Sequence, residues 1–204
     1  MTAGSVSASL TSVSDAVDVT LHSPSTSQLS VEEKKRFLEA PATTNVALDG
    51  TATQSSTGDN SHTSDAANGI DGNRYDPSNV VHTENDQPDP WWKVTFNSMV
   101  LVDNVVFFNR GEHAGFTERA KDLIVEVLDS RGAVPVTVKT HQFSGVPPYG
   151  PSGVTFPFGV WGNEVKVSLE GENRLLNFYE LEVYATPSDV PSPSPSDAPS
   201  PSPS

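Results

Sequence analysis

The chain has 204 residues, with 12 basic and 26 acidic side chains, a net charge of −14 and no Cys. That charge repels phosphate backbones and anionic bilayers, so nucleic acid is not an expected partner; the missing thiols exclude disulfides, thiolate metal sites, Fe–S clusters and a cysteine nucleophile. No apolar run approaches the roughly 18 residues that span a bilayer, so membrane insertion is not expected.

Residues 1–41 open the chain. The first thirty are mostly Ser, Thr, Ala and Val, with neither the basic start nor the apolar segment of an export signal. Ser30 and Glu33 have capping-box spacing, and Val31, Lys34, Lys35, Phe37 and Leu38 predict a short amphipathic helix over 31–39 that Pro41 stops. The remainder is too poor in core-forming residues to bury itself, so 1–41 is expected to be largely disordered.

Residues 42–186 carry the fold signal. Trp92, Val94 and Phe96 alternate with Trp91, Lys93 and Thr95, which sends one indole inward and the other outward. Val102 to Phe108 is apolar on both faces, as a central strand is. Leu123, Val125 and Val127 alternate with Ile124, Glu126 and Leu128; Val165, Val167 and Leu169 with Lys166, Ser168 and Glu170; Tyr179, Leu181 and Val183 with Glu180, Glu182 and Tyr184. Short strands with turn residues between them predict an all-β sandwich or barrel in one domain. Between Thr53 and Pro90 the strand signal fades into Gly, Asn, Asp and Ser, and so long a loop in a compact domain points to function. Residues 187–204 hold seven Pro and seven Ser and read as a disordered linker or stalk, through which other domains could be joined.

Three groups of residues carry recognisable chemistry. Asn68, Asp71 and Asn73 share a Gly-containing turn, and their hard oxygens suit Ca²⁺; the same residues serve equally as an Asx turn that caps its own backbone. Arg110 and Arg119 are two of nine basic side chains among 19 acidic ones in 42–186. A guanidinium is a rigid fork of donors that matches adjacent hydroxyls, and a His nitrogen, as at His82, fixes a further one. The alternative is a pair of surface cations in solvated salt bridges. A converging pair needs carboxylates, for which Glu112 and Glu118 are placed. His82 changes charge near its ordinary pKa of about 6.5, so binding through it should vary there.

Taken in order, Asn45-Val-Ala-Leu, Ala52-Thr-Gln-Ser-Ser, Ala67-Asn-Gly-Ile-Asp-Gly-Asn73, His82-Thr83, Pro90-Trp-Trp-Lys-Val94, Asn109-Arg110 and Glu180-Leu-Glu-Val183 resemble the F-type lectins, or fucolectins, within the discoidin-like (coagulation factor 5/8 C-type) jelly-roll families. The resemblance implies a single jelly-roll β-sandwich, a non-catalytic lectin for glycans containing L-fucose, a structural Ca²⁺ and an extracellular or cell-surface location. Its sugar motif falls on His82, Arg110 and Arg119. Glu112 stands where Asp is usual, Arg119 comes two residues later, and His113-Ala114 replaces a vicinal Cys pair that packs on the sugar, so His113 or Phe116 is expected to supply the apolar platform. The implied metal shell falls on Asn68, Asp71 and Asn73, on Asn79 in place of a Ser, and on a final pair, Tyr179 and Glu180. Alternation places Glu180 on the strand face opposite Tyr179, Leu181 and Val183. The competing reading is a discoidin-like structural or protein-interaction module that has lost its sugar site. A glycoside hydrolase needs two carboxylates flanking a cleft, and no pair is singled out.

Overall fold

The computed structural model describes residues 43–58 and 64–186. The expected helix at 31–39, the segment 1–41 around it and the Pro/Ser stretch 187–204 lie outside the described residues. The strands are β1 (Thr44–Asn45), β2 (Thr51–Gln54), β3 (Val81–His82), β4 (Trp91–Asn109), β5 (Ile124–Asp129), β6 (Val136–Gln142), β7 (Val154–Ser168) and β8 (Asn177–Thr186). A single helical turn, α1 (Ala114–Thr117), follows β4. Every ladder is antiparallel, in the order β1-β8-β4-β7-β5-β6, with β2 also beside β4 and β3 also beside β8.

β4 makes this connected ladder into two layers. Register breaks between Thr95 and Val100 and between Val102 and Asn104 divide it. Its first part pairs with β2 and the end of β7, its second with β8 and the start of β7. Trp92 from the first part and Phe107 from the second both pack on Phe178, with ring centroids 5.3 and 5.1 Å away. One strand therefore lines both walls of the core, which is the jelly-roll sandwich. The alternating residues read from the sequence fill it: Trp92, Val94, Val125, Val127, Val165 and Val167 are fully buried, each such side chain contributing about 1.5–3 kcal/mol by leaving water. The Trp92 indole Nε1–H donates to the Ala66 carbonyl at 2.8 Å, so its polar end is satisfied. Trp91 lies outside, half-buried, with the Lys93 ammonium 5.7 Å from its ring centroid.

The alternation of β8 is interrupted once. Asn109 pairs with Phe178 and Phe108 with Glu180, so Tyr179 is an extra residue, a β-bulge. One inserted residue in a period-two ladder shifts the side chains before it to the other face. Leu181 and Val183 share the main core with Phe178, whereas Tyr179 joins Val80, Val106 and Phe108 in a second apolar cluster. The expectation that grouped Tyr179 with Leu181 and Val183 is corrected: Tyr179 and Glu180 lie on the same outer side of β8.

Candidate functional site

His82 is placed by β3, which pairs with β8 through Val81↔Phe178 and His82↔Asn177. His82 is 4% exposed, and its Nδ1 lies 2.7 Å from the Thr83 carbonyl. A carbonyl only accepts, so in the neutral ring Nδ1 carries the proton and Nε2 is the acceptor left for a ligand. Burial first, then the Arg119 and Arg110 guanidinia, hold the His82 pKa below its ordinary value, so the neutral form prevails at pH 7. Residues 54–58 bracket the other side. The Gly58 N–H donates to the His82 carbonyl at 2.9 Å, and a Cβ on Gly58 would collide with the imidazole, so the backbone comes this close only because no side chain intervenes.

Arg110 directly follows β4, and Arg119 lies in the 3-10 turn Glu118–Ala120 after α1. Both guanidinia lie over the ring of Phe116, 4.3 and 4.5 Å from its centroid. Arg110 Nε donates to both Glu112 oxygens at 3.0 Å, and the Tyr179 hydroxyl bonds the same carboxylate. Burial pushes the Glu112 carboxyl upward, but hydrogen bonds from Arg110 and Tyr179 outweigh it and hold the pKa below the usual carboxylate range. Glu112 thus does what the sequence asks of it; Glu118 does not, since it is exposed and forms no ion pair among the described residues. The second cation is held by the quadrupole of Phe116 instead of by a carboxylate. His113 is exposed and packs edge-on against Phe116 at 5.4 Å.

These parts converge. His82, Arg110, Phe116 and Arg119 line one cavity of about 300 Å³, the lower end of the range for small-molecule pockets. Ser64, Pro77, Val80 and Asn85 complete its wall. Ser64 Oγ is buried with no partner among the described residues, which leaves a hydroxyl for a ligand. The four completing residues lie within the long loop that the sequence marks as a region, yet their residue types gave no individual signal. Chemically the cavity sets one acceptor nitrogen among two donor forks, a match for a polyol whose hydroxyls both give and receive.

The acidic turn is differently made. Asp71 Oδ1 accepts from the Asn73 N–H at 2.7 Å and Asn73 Oδ1 from the Tyr75 N–H at 3.3 Å, the Asx pattern. Asn68 Nδ2 donates to the Val80 carbonyl at 3.0 Å, and Asn79 Nδ2 to Asp76 at 2.9 Å. The turn docks on β8 through the Gly72 N–H, which donates to Glu180 Oε1 at 3.2 Å, and through an Arg74–Glu182 ion pair at 2.7 Å that no local pattern forecast. Glu180 is fully buried and its Oε2 has no partner among the described residues. Burial above all, with Asp71 and Glu182 adding, pushes its pKa up to about 8. Among the described residues no three His, Asp or Glu side chains gather as a metal cluster. A cation here must therefore draw on amide and carbonyl oxygens beside Asp71 and Glu180, a donor set that suits Ca²⁺.

A family model described as NedA-like, galactose-binding domain, of F5/F8 type C, matches residues 68–183. The chain is similar to the fucolectin of Anguilla anguilla, 39% identical over 77 residues that make up 35% of this chain and 48% of the fucolectin. It is similar in structure to an f-lectin (fucolectin) from the serum of Morone saxatilis, the striped bass, with a TM-score of 0.59, 31% identity and coverage of 70% of this chain and 49% of that one. A fucose binding module of Streptococcus pneumoniae has a TM-score of 0.58 and 27% identity, with 70% of this chain and 95% of the module covered. The chain thus spans about half the length of the two fish lectins.

Proposed function

The chain belongs to the NedA-like, galactose-binding family of F5/F8 type C domains, and from that premise we propose that it is a non-catalytic lectin that takes L-fucose in the cavity of His82, Arg110 and Arg119. The observation that carries the reading is the convergence of these three side chains on one cavity of about 300 Å³. The names of the fish fucolectins and of the pneumococcal fucose binding module support the choice of sugar, and the serum source of the striped bass lectin supports an extracellular setting.

The division of labour follows from the donors and acceptors. His82 Nε2 accepts from one sugar hydroxyl, while the Arg110 and Arg119 forks donate to ring or hydroxyl oxygens. Each charge-assisted bond of this kind is worth about 1.5–3 kcal/mol. Phe116 keeps the guanidinia in place, Glu112 fixes the orientation of Arg110, and the Tyr179 hydroxyl fixes Glu112. Among the described residues, those lining the cavity include no carboxylate, so they supply no pair of the kind that glycoside hydrolysis uses.

A structural Ca²⁺ at the acidic turn is part of the same proposal. The carboxylates of Asp71 and Glu180 would hold it, with oxygens of Asn68, Asn73 and Asn79 and the carbonyl of Tyr179, the residue that the bulge leaves out of the ladder register. The support is Glu180 itself, a buried carboxyl whose Oε2 has no partner among the described residues and whose pKa burial pushes up to about 8, so that a cation beside it would stabilise the ionised form. The ion supplies that positive charge and ties residues 71–76 to β8.

The test is calorimetric titration of L-fucose, galactose and mannose into the chain, with and without Ca²⁺. The expected result is saturable binding with fucose preferred. If none of the three binds, and a fucosylated glycan array is also blank, the domain is a jelly-roll that serves some other, protein-directed role.

A further inference from the structure

The charges around the His82 cavity do not balance. Of the residues that line it, Arg110 and Arg119 are cations, His82 is neutral at pH 7, and none among those described is a carboxylate. Glu112, outside the lining, answers Arg110 by accepting from its Nε on both oxygens. Arg119 has no such partner. Its guanidinium lies 4.5 Å from the Phe116 centroid and makes no hydrogen bond or ion pair among the described residues. A ring quadrupole holds a cation in place but carries no net charge, so one positive charge is left over. Burial first, then repulsion by Arg110, lowers the Arg119 pKa against a smaller opposing pull from Glu112. A half-buried cation without an anion is unfavourable, and an anionic ligand removes that cost. Two neutral donors line the same cavity: Ser64 Oγ is buried with no partner, and the exposed Asn85 amide makes no hydrogen bond among the described residues.

We propose that the cavity selects a sulfated form of its sugar, a fucose monosulfate whose ester group lies against Arg119. The proposal rests on the lectin reading above and narrows its ligand class. A sulfate ester carries one negative charge, which equals the surplus, and its terminal oxygens only accept hydrogen bonds, which suits a wall of guanidinium, hydroxyl and amide donors. A phosphate ester approaches two negative charges at pH 7 and overshoots. The net charge of −14 opposes any anion at long range. Salt screens that repulsion beyond about 10 Å, whereas the contact with Arg119 is direct.

The measurement is calorimetry of the chain with methyl α-L-fucoside and with its three singly sulfated esters, one for each hydroxyl, at roughly 0.05 and 0.5 M NaCl. At low salt one ester should bind about tenfold more tightly than the neutral fucoside, the yield of one charge-assisted hydrogen bond. That gain should shrink severalfold at high salt, whereas repulsion by the chain as a whole would make ester binding stronger there. Asn85→Asp sets a carboxylate in the wall and leaves both guanidinia in place, so in this variant the ratio of ester to neutral affinity should fall to one or below. Sodium sulfate should compete weakly, since it lacks the sugar hydroxyls. If the neutral fucoside binds and no ester exceeds it, the sulfate proposal fails and the lectin reading stands; if no ligand binds, both fail. A gain indifferent to salt and to Asn85→Asp does not come from charge and also overturns the proposal. So does displacement of the ester by an equal concentration of sodium sulfate, which would make the cavity a plain anion site.

Discussion

The wall that carries Arg110 and the turn that carries Asp71 meet β8 at consecutive residues, Tyr179 and Glu180, and they face opposite electrostatic problems. At the wall, two cations sit close together in an acidic chain. Glu112 engages one, Phe116 lies beneath both, and the Tyr179 hydroxyl closes the network, so the arrangement is complete without a ligand. At the turn, the buried Glu180 carboxyl has two acidic neighbours, Asp71 and Glu182, a backbone N–H from Gly72 that donates to it at 3.2 Å, and a pKa pushed up to about 8. The first region is preorganised by its own side chains, whereas the second becomes neutral only by taking up a proton or a cation. On the proposed reading the two regions bind differently: a sugar would enter a finished site, and Ca²⁺ would finish one.

The sharpest way to break this picture is to remove a donor fork. Arg110→Ala or Arg119→Ala should cut sugar affinity by about ten- to a hundredfold, which calorimetry would register as loss of binding. Arg110→Lys should fail nearly as badly, because a point charge cannot donate in the same fork. Arg131 serves as the control, since it is exposed and its ion pair is with Asp129 at 2.7 Å. Equal damage from Arg131→Ala would dissolve the distinction between a built wall and general surface charge.

The next effect belongs to the turn. Ca²⁺ at a hundredfold excess over its dissociation constant should stabilise the fold by about 2.7 kcal/mol and raise Tm by roughly 10 °C, a shift that Glu180→Gln should abolish. The pH dependence follows from the raised pKa. Without metal, folded Glu180 stays protonated up to about pH 8, while in the unfolded chain it ionises near 4.5. The native state binds more protons in that window, so metal-free stability falls as pH rises through it. Ca²⁺ needs the ionised form, so its Tm shift should grow over the same range. A melting curve indifferent to Ca²⁺ and chelator at pH 8 would remove the metal from the account.

Two smaller effects test how closely the regions are joined. Tyr179→Phe deletes the hydroxyl that holds Glu112 and should weaken sugar binding severalfold, for one hydrogen bond of about 1 kcal/mol, without altering the Ca²⁺ shift in Tm. The mildest effect concerns His82. Because burial and the two Arg hold its pKa down, sugar affinity should stay flat from pH 8 to the ordinary imidazole value near 6.5 and decline only below it. A midpoint at 6.5 itself, the sequence expectation, would mean that the ring is less enclosed than its 4% exposure implies.

What could be read from the chain was what a local pattern encodes. Period-two alternation located β5, the end of β7 and the first part of β4, because burying one face of a strand leaves its mark on consecutive residues, and a run apolar on both faces located the second part of β4. The same test passed over β6 and the start of β7. β6 leaves Val136 and Val138 exposed, and β7 carries Pro157 and Gly159 within it, so neither shows a clean apolar face. The order of short fragments marked His82, Arg110, Asp71 and Glu180, and the sugar motif of the family they resemble added Arg119, although these residues are scattered along the chain. Tertiary structure decided the rest, for reasons of range. A bulge at Tyr179 exists only relative to a partner strand, so no run of residues displays it. Arg74 and Glu182 are 108 positions apart, and the partners of a surface cation depend on which carboxylates folding brings near. The same holds for Phe116 beneath two guanidinia, for Ser64 Oγ in the cavity wall, and for the depressed pKa of His82. Alternation is a property of neighbours in sequence; burial, charge and register are properties of neighbours in space.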